Sequence, residues 1–446
     1  MIVMKFGGSS VRDAAMIRQV LSIARDRLDE APLLVSSAMG KTTDALVSIA
    51  DHAESGDGDA AFEAIDQLDG DHVRAASDLV DGDARDGLLR AVNVLTGELR
   101  SLVQGIFLIR ECSPRSRDAV LSFGERLSTL IIVAAARAIG IDAELADARS
   151  LIRTNGEFGA ASPDMEVTTR LTRAALRPRA GHLYVTQGFI GSTAEGVTTT
   201  LGRGGSDYSA TILGAALDAS SVEIWTDVDG IMTSDPRVIP DARTIASISY
   251  DEAAELAYFG ARVVHPYTIL PAVERSIPVW VKNTSAPGMA GTRIQAEIGG
   301  AGIRAIASKS GVTLITVQSS RMLNAYGFLR ALFAVFDRHR VSVDLVATSE
   351  VSVSMTVDRE VDIAPIVSDL EPLGEVSVER EKSIICMVGR GLFQQAGLLA
   401  AVFAAIDPVP VRMISLGSSD INLSIVVAER ETERVLRSLH GQLFRS

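Results

Sequence analysis

The sequence predicts an α/β protein in which an αβα sandwich with a mainly parallel sheet is followed by two ferredoxin-like βαββαβ modules. Two observations carry this prediction. Through about residue 300, short β-rich runs alternate with amphipathic helical stretches, an order typical of a parallel sheet covered by helices. Beyond that point, two segments that begin at Gly327 and Gly397 repeat each other at an offset of 70 residues, which indicates two copies of one small module.

The strands of the first part are predicted from runs that are almost continuously apolar, and the helices from stretches with a 3.6-residue period. The predicted strands are "MIVMKF", "APLLVSSA", "HLYVTQGFI", "SVEIWTDVDG" and "IPVWVKN". The predicted helices are "AAMIRQVLSIARDRL", "ERLSTLIIVAAARAIG" and "SDYSATILGAALDA". Residues 44–105 are rich in Ala, Asp and Leu and contain few strand formers, so we expect a helical excursion from the sheet.

The repeat predicts the order of elements in the second part. Each copy reads as a strand, a glycine turn, a helix, a strand, a short turn and a strand, which is the order of βαββαβ modules. The segment "AEIGGAGIRAIASKSG" from residue 296 reads as a linker. We therefore expect a catalytic domain over residues 1–297 and two modules over residues 298–380 and 381–446.

Composition restricts the class of protein. The 446 residues include 47% hydrophobic and 22% charged residues, with a formal net charge of −13, so a basic surface for nucleic acid is not expected. The only two cysteines, Cys112 and Cys386, offer neither a disulfide framework nor a zinc site. The start of the chain does not resemble a signal peptide, and the apolar run "LIIVAAA" is shorter than the roughly 18 residues of a membrane span. These features favour a cytoplasmic protein without a membrane partner.

The stretch "VMKFGGSSV" (3–11) has the character of a phosphate-binding turn. Its glycines let backbone N–H groups approach an anion, and the helix that follows adds its positive N-terminal end. Lys5 precedes the glycines, whereas the lysine of a P-loop follows them. A plain structural turn between a strand and a helix is the alternative.

Two further stretches offer groups for an acceptor substrate. In "VSSAMGKTTD" (35–44), Ser36 and Thr42 could donate to substrate oxygens, or Thr43 or Asp44 could simply cap a helix. In "SFGERLST" (122–129), Glu125 lies at the start of a helix, where it could receive a substrate ammonium group or serve only as a partner of the helix dipole.

The most informative stretch is "TTTLGRGGSDYSAT" (198–211), where a Thr-rich strand end meets a glycine-rich turn. Arg203 could hold a carboxylate through two parallel hydrogen bonds. In the alternative interpretation Ser206 caps the helix and Asp207 is a dipole partner. That alternative explains neither Arg203 nor the three glycines.

The loop "WTDVDGIMTSDPR" (225–237) follows a β-rich run and contains Asp227, Asp229 and Asp235. Their spacing does not match an EF-hand, so a loop that lines a nucleotide pocket is favoured over a metal site. His265, before a proline, is interpreted as a structural residue.

With these motifs in order, the chain resembles the aspartate kinases, a branch of the amino acid kinase family with C-terminal tandem ACT domains. The resemblance covers the whole chain and rests on "KFGGSS", "SFGERLST", "TTTLGRGGSDYSA", "WTDVDGIMTSDPR" and "FGARVVHP". It implies transfer of the γ-phosphoryl group of ATP, with Mg²⁺, to the side-chain carboxylate of L-aspartate. The product, 4-phospho-L-aspartate, starts the route to lysine, threonine, methionine and diaminopimelate.

The resemblance also implies roles for individual residues. Lys5 and Asp207 would be catalytic, with Asp207 orienting Lys5, and no protein ligand for a metal is assigned. The nucleotide would be bound by Lys5, Gly7, Gly8, Ser9, Thr226, Asp227, Met232, Arg237, Arg262 and Val263. The substrate would be bound by Ser36, Thr42, Glu125, Arg203, Gly204, Gly205 and Ser206.

The segment from Gly327 is similar to the lysine-sensing ACT segment of that family. An amino-acid effector, lysine, would contact Met322, Gly327, Phe328, Leu329, Val343, Asp344, Thr348, Ser349 and Glu350. Because ACT units commonly pair across subunits, the resemblance implies a homodimer or homotetramer.

The chain departs from the family pattern at several of these positions. Met232 stands where the family often has Tyr, Asp229 where it often has Pro, and Arg262 where Lys is usual. Asn324, Ala325 and Tyr326 replace a His-Ser-Arg pattern of lysine-sensitive members.

Two alternatives stay open at this stage. A sister kinase would phosphorylate glutamate, acetylglutamate, carbamate or UMP, and a catalytically silent protein would keep the fold as an amino-acid sensor. Glu125 opposite Arg203 favours an α-amino acid over the other acceptors. The presence of both Lys5 and Asp207 argues against a silent sensor.

Overall fold

The computed structural model describes residues 1–259, 264–296, 298–323, 326–417 and 419–444. The chain forms two compact units. The first contains residues 1–231, 246–250 and 263–297, and the second contains residues 232–245, 251–262 and 298–446. The second unit therefore includes two segments that the sequence predicts within the catalytic domain.

The secondary structure alternates as predicted in the first part of the chain. The strands are β1 (Ile2–Phe6), β2 (Leu33–Ser36), β3 (Asp142–Leu145), β4 (His182–Gln187), β5 (Ile190–Ser192), β6 (Thr198–Thr200), β7 (Ser221–Thr226), β8 (Ser247–Ser249), β9 (Val279–Asn283), β10 (Thr292–Gln295), β11 (Gly302–Gln318), β12 (Val346–Thr348), β13 (Ser352–Asp358), β14 (Glu375–Arg390), β15 (Met413–Ser415) and β16 (Asn422–Ala428). The helices are α1 (Ala14–Arg25), α2 (Thr42–Ser55), α3 (Gly58–Leu79), α4 (Gly82–Ile109), α5 (Pro114–Leu121), α6 (Phe123–Ala138), α7 (Ala148–Leu151), α8 (Met165–Ala175), α9 (Gly205–Ala216), α10 (Tyr250–Tyr258), α11 (Pro266–Glu274), α12 (Phe328–Arg338), α13 (Ile363–Leu370), α14 (Leu398–Ile406) and α15 (Thr432–Leu443).

The first unit is built on an eight-stranded sheet with the order β3-β4-β2-β1-β7-β9-β10-β8. Neighbouring strands from β3 to β9 are parallel, β10 runs antiparallel to β9, and β8 is parallel to β10. This confirms the predicted, mainly parallel sheet. The predicted strand "HLYVTQGFI" is in fact two strands, β4 and β5, because a turn at Gly188 and Phe189 interrupts it.

Residue alternation along β1 assigns its side chains to two faces of the sheet. Ile2, Met4 and Phe6 belong to the large core cluster formed with α1 to α6. On the other face, a Cβ added to Gly214 of α9 would lie 3.9 Å from a methyl group of Val3, so α9 packs there. Helices thus cover both faces of β1, and Lys5 shares the α9 face with Val3.

Residues 44–105 form the predicted helical excursion, over α2, α3 and most of α4. By length and composition alone, two helical stretches of the described chain could cross a membrane, Gly82–Ile109 and Pro114–Ala138. The most apolar window of the second is 72% buried within the protein, as in the core helix of a soluble protein. This composition is therefore weak evidence for membrane insertion.

The second unit is built on a six-stranded antiparallel sheet with the order β12-β13-β11-β14-β16-β15. Its two central strands are long, with 17 residues in β11 and 16 in β14, and they pair along their whole length. The second half of β11 pairs with β13, and the second half of β14 pairs with β16. Each long strand therefore contributes one half to each βαββαβ module.

This pairing makes the two modules interleaved, whereas the sequence repeat predicts them one after the other. The first half of β11 (302–310) pairs with residues 383–390, which start the second repeat. Ile306 accordingly lies in the core with Val402 of α14, whereas Ile315 lies in the core with Leu332 of α12. The predicted boundary between residues 380 and 381 falls inside β14, because this continuous strand supplies the last strand of the first module and the first strand of the second. The last strand of the second module comes from 302–310.

The interleaved arrangement predicts which core positions are energetically coupled. Ile306→Ala should lower the free energy of unfolding by about 2–5 kcal/mol, and in a double-mutant cycle it should couple to Val402→Ala by more than about 0.5 kcal/mol. Ile306→Ala and Leu332→Ala should be additive, since their side chains lie in different clusters. Denaturant unfolding measures all of these values. Coupling of Ile306 to Leu332 and not to Val402 would favour consecutive modules.

Candidate active site

The predicted site residues of the first unit gather where four neighbouring parallel strands, β4, β2, β1 and β7, reach their carboxyl ends. Ligands of open α/β sheets bind in the crevice outside this edge. The turns that follow β1 and β2 contact each other, since the Gly40 N–H donates to the Gly8 carbonyl at 3.1 Å. The Gly188 N–H, after β4, donates to the Ser36 carbonyl at 2.8 Å.

Lys5 and Asp207 form an ion pair at this edge. Lys5 Nζ lies 2.6 Å from Asp207 Oδ1, and only 11% and 14% of the two side chains are exposed. The pairing follows from local structure, because Lys5 projects from β1 onto the face covered by α9, and Asp207 lies in the first turn of that helix. A cation buried to this extent needs such a partner, because an unpaired buried charge is strongly destabilising.

The glycine turn after β1 lies tightly against its neighbours. The Gly7 N–H donates to the Trp225 carbonyl at 3.2 Å, and the Ser10 hydroxyl hydrogen-bonds to that of Thr284 at 2.7 Å. A Cβ on Gly8 would lie 2.9 Å from the Gly40 carbonyl oxygen, so a larger residue would displace the turn. Ser9, between these anchored positions, is half-buried.

Glu125 is a buried carboxylate that is only partly satisfied. Glu125 is only 2% exposed to solvent. Oε1 accepts the Ala38 N–H at 3.1 Å, whereas Oε2 has no hydrogen-bond partner among the described residues. Burial raises the pKa of Glu125 from 4.5 to about 8. A buried acceptor oxygen without a partner is costly, and a ligand cation or donor would satisfy it.

Close contact between α6 and the turn after β2 positions Glu125. A Cβ on Gly124 would lie 2.7 Å from the Cβ of Ala38, so glycine is required for α6 to approach the turn. The Thr42 hydroxyl donates to the Met39 carbonyl at 2.6 Å, and the Ser36 hydroxyl is 2.9 Å from the Ser37 carbonyl. Both hydroxyls therefore direct their hydrogen to the backbone and leave lone pairs that can accept.

The turn before α9 presents Arg203 to solvent. Gly202 and Gly204 adopt positive φ angles of 76° and 69°, which glycine tolerates without strain. Arg203 is exposed and makes no hydrogen bond or ion pair with another described residue. The helix N-cap is Gly204, so the alternative in which Ser206 caps the helix is wrong. Gly205 starts the helix, and Ser206 is its second residue.

The end of β7 carries the predicted nucleotide contacts of this unit. The Thr226 hydroxyl donates to Asp227 at 3.0 Å, and Asp227 is exposed. The Asn283 side chain donates to Asp229 at 2.6 Å. In the parts of the chain that the structure describes, no group of three or more His, Cys, Asp or Glu side chains is arranged to hold a metal ion.

The remaining predicted nucleotide contacts belong to the second unit or lie outside the described residues. Met232 and Arg237 belong to a segment of the second unit, where Arg237 is 88% exposed and pairs with Asp235 at 2.7 Å. Arg262 and Val263 lie outside the described residues, as do Asn324 and Ala325.

The predicted effector residues surround the start of α12 and the end of β12 in the second unit. Met322, Phe328 and Val343 pack against the core of the first module. Gly327, with a φ of 80°, caps α12. The others are exposed, apart from Asp344: Leu329, Thr348, Ser349 and Glu350.

Asp344 is already paired within the protein. Lys309 Nζ lies 2.9 Å from both of its carboxylate oxygens, and the Tyr258 hydroxyl donates to Oδ1 at 2.6 Å. Only 3% of the Asp344 side chain is exposed. Its contact with Tyr258 joins the predicted effector position to the end of α10.

Sequence reasoning missed Lys309 and Tyr258, and it also missed Asp118 and Gly188 near the active site. A Cβ on Gly188 would lie 2.6 Å from that of Ser206, so this glycine lets α9 begin beside the turn after β4. The glycine after "TQ" was a usable signal. The other three have none, since each acts through a partner distant in sequence.

Comparisons with known proteins agree with this geometry. Residues 1–283 match the model of the amino acid kinase family, and residues 385–443 match an ACT domain. The chain is 39% identical to lysine-sensitive aspartokinase 3 of Escherichia coli, with 99% of each chain covered. The chain belongs to the aspartokinases of the amino acid kinase family. An aspartokinase has aspartate kinase activity, the transfer of the ATP γ-phosphoryl group to the side-chain carboxylate of L-aspartate.

Two solved aspartokinase structures are similar over the full length of both chains. Crystal structures of E. coli aspartokinase III, one in complex with aspartate and ADP (R-state) and one with lysine and aspartate (T-state), give TM-scores of 0.83 and 0.82. Their sequence identities to this chain are 37% and 38%. The aspartokinase fold predicted from the sequence, a kinase domain followed by ACT domains, is thereby confirmed.

Proposed function

We propose that this aspartokinase binds L-aspartate and ATP at the carboxyl edge of the parallel sheet, with Lys5 and Asp207 as its catalytic pair. The observation that carries the proposal is the Lys5–Asp207 ion pair of 2.6 Å at the edge where the buried, half-satisfied Glu125 also lies. The first group suits a phosphoryl group in transfer, and the second suits an amino group.

The chemistry requires positioning and charge neutralisation more than a covalent nucleophile. The side-chain carboxylate of L-aspartate, with a pKa near 3.9, is ionised at neutral pH and attacks without a general base. Lys5 neutralises charge on the phosphoryl group between nucleotide and acceptor, while Asp207 fixes its ammonium group. In the Gly7–Ser9 turn, the backbone N–H groups of Gly8 and Ser9 supply further donors to the phosphates, whereas that of Gly7 donates to the Trp225 carbonyl.

The acceptor is held at both ends of its amino-acid backbone. Arg203, which has no partner among the described residues, grips the α-carboxylate in a bidentate pair. Glu125 accepts the α-ammonium group through its free oxygen. Ser36 and Thr42 complete the pocket as acceptors, because their hydroxyl hydrogens point to the backbone.

ATP contacts Thr226 and Asp227 in the first unit. The nucleotide contacts that the sequence predicts at Met232, Arg237, Arg262 and Val263 stay predictions. Mg²⁺ would accompany the phosphates of ATP and would neutralise part of their charge. It is usually held by one or two carboxylates plus phosphate oxygens. Both cysteines are free and buried, in accord with an enzyme of the reducing cytoplasm.

The role of Lys5 can be tested by substitution. Lys5→Ala should lower kcat by about 10²–10³-fold, the usual effect of removing one preorganised donor to transition-state charge, with little change in the KM for L-aspartate. Coupled detection of ADP release, with L-aspartate, L-glutamate or no acceptor, provides the measurement. Lys41→Ala removes an exposed lysine from the neighbouring turn and is the matched control.

In that assay L-aspartate, and not L-glutamate, should raise ADP release by the wild-type enzyme. A change confined to KM would make Lys5 a binding residue only. ADP release that L-aspartate did not raise would contradict the proposed acceptor.

The raised pKa of Glu125 predicts a pH dependence of substrate capture. Below a pKa of about 8 the carboxyl group of the free enzyme is protonated and cannot pair with an ammonium group. The kcat/KM for L-aspartate should therefore fall by up to about tenfold per pH unit below pH 8, because this ratio follows ionisation of the free enzyme. Glu125→Gln should abolish that slope, and Glu63→Gln, on an exposed surface of α3, should keep it.

Stability gives a second measurement of the same group. The folded pKa of Glu125 is raised above its ordinary 4.5, so its contribution to stability is largest below pH 4.5 and declines as the pH rises towards 8. The melting temperature of Glu125→Gln should rise relative to wild type between pH 5 and 8. A constant difference across that range would contradict the raised pKa.

We further propose that lysine regulates the enzyme through the first ACT module and that ACT pairing makes it a homodimer or homotetramer. The E. coli structure with lysine and aspartate supports lysine as the effector. In this chain the ammonium group of an incoming lysine would compete with Lys309 for Asp344, whose oxygens already lie 2.9 Å from Lys309 Nζ. Exchange of these partners would release Tyr258 and with it the end of α10.

This regulation predicts lysine inhibition that depends on Asp344. Asp344→Asn should raise the lysine concentration for half-inhibition by about 10–150-fold, because a hydrogen bond to a charged group is worth about 1.5–3 kcal/mol. Asp369→Asn, on the surface of the same module, is the matched control. Light scattering with and without lysine would report the oligomeric state. Full activity at millimolar lysine would contradict the proposed regulation by lysine. A monomer in light scattering would contradict the proposed homodimer or homotetramer.

A further inference from the structure

Asp118 is a buried carboxylate that none of the proposed roles uses. Asp118 lies in α5 and is only 1% exposed to solvent. Its carboxylate accepts three hydrogen bonds. Oδ2 accepts the Gly159 N–H at 3.0 Å and the Thr200 N–H at 2.8 Å, and Oδ1 accepts the Thr200 hydroxyl at 2.8 Å. Burial raises the pKa of Asp118, and these three donors oppose the rise.

The three donors come from two segments that approach the acceptor site. Thr200 ends β6, three residues before Arg203, and Gly159 lies in the loop between α7 and α8. The two segments also contact each other directly. The Ala161 N–H donates to the Thr200 carbonyl at 2.9 Å, and a Cβ on Gly202 would lie 3.1 Å from the Gly159 carbonyl oxygen. Asp118 therefore fixes both segments with one side chain.

The other end of this connection leads to Glu125. A single residue, Ser122, separates α5 from α6, and the Ser122 N–H donates to the Asp118 carbonyl at 3.1 Å. Glu125 follows in the first turn of α6. The chain that carries the proposed ammonium-binding carboxylate is thus tied, through Asp118, to the strand that leads to the proposed carboxylate-binding Arg203.

The position of the Arg203 guanidinium group depends on this connection more than that of a side chain packed against neighbours would. Arg203 is exposed and has no partner among the described residues, so only its backbone determines where the guanidinium group can reach. A small displacement of the β6 end would alter its distance from Glu125. Such a displacement weakens binding of a ligand that must engage both groups at once.

We propose that Asp118 is a positioning residue that sets the spacing between the ammonium-binding Glu125 and the carboxylate-binding Arg203, and so tunes affinity for the α-amino-acid backbone of the acceptor. This inference rests on the proposed roles of those two residues. The role of Asp118 is geometric, since its hydrogen bonds go to the protein and not to the substrate.

Asp118→Ala and Asp118→Asn together test the proposal in the full-length enzyme. Asp118→Ala removes all three acceptor interactions and should raise the KM for L-aspartate about tenfold, because buried N–H groups lose their partners and the segments shift. The KM for ATP and the kcat at saturating substrate should change less than about threefold, because Asp118 is proposed to affect only the groups that bind the acceptor. Asp118→Asn should restore the KM for L-aspartate, since the amide oxygen can accept both N–H groups and its NH₂ can donate to the Thr200 hydroxyl.

Thr200→Val and Thr200→Ser provide a milder pair in case Asp118→Ala does not fold. Thr200→Val removes one of the three donors and should raise the KM for L-aspartate in the same direction by a smaller factor, whereas Thr200→Ser keeps the hydroxyl group and should not. Asp164→Asn, at the exposed N-cap of α8, controls for Asp-to-Asn exchange. Melting temperatures measured alongside separate loss of stability from loss of substrate affinity.

An unchanged KM for L-aspartate in Asp118→Ala, or in Thr200→Val if the first variant is not obtained, would overturn the proposal. Equal increases in both KM values would overturn it as well, because they indicate a general structural role. Failure of Asp118→Asn to restore affinity would show that the charge matters and not the geometry. If wild-type enzyme lacked aspartate-dependent ADP release, the proposed function itself would be at fault.

Discussion

The ion pair between Lys5 and Asp207 is the interaction on which the arrangement of the active site depends. It joins the end of a central strand to the first turn of the helix that covers it. Alternation along β1 requires that Lys5 face α9 once Phe6 enters the core, and a buried ammonium group requires an anionic partner. The pair therefore follows from the parallel sheet and at the same time orients the ammonium group that we propose contacts the phosphates.

Glycines at the strand ends make this arrangement possible at short distances. Gly8 contacts the turn after β2, Gly124 brings α6 to the same turn, and Gly188 admits the start of α9. At each position a Cβ would come within 3 Å of a neighbouring atom. The turns thus support one another, so the proposed site would bind its ligands without the entropic cost of ordering loose loops. A glycine turn alone cannot reveal this mutual support, because its partners are distant in sequence.

The alternating fold could be predicted from the sequence, and so could the position of Lys5, Glu125, Arg203 and Asp207 next to the ends of strands or the starts of helices; their roles stay predictions. Each of these residues follows a predicted strand or starts a predicted helix, so local pattern and polarity indicate a site. The interleaving of β11 and β14 was not predictable, since the repeat defines two copies but not which strand half pairs with which. Asp118 was also missed, because an aspartate within a helix reads as a surface residue until its three buried donors are seen.

Two buried carboxylates of the α5–α6 region, Asp118 and Glu125, differ in how many of their oxygens accept hydrogen bonds from the protein. Asp118 uses both oxygens for protein donors, so its burial is compensated and connects segments. Glu125 has one oxygen without a partner among the described residues, and its pKa rises to about 8. The unsatisfied oxygen does not stabilise the fold, and a hydrophobic residue of similar shape at this position would make the folded protein more stable. Its presence is explained if the missing partner belongs to the substrate, whose ammonium group recovers in binding what the fold gives up in stability.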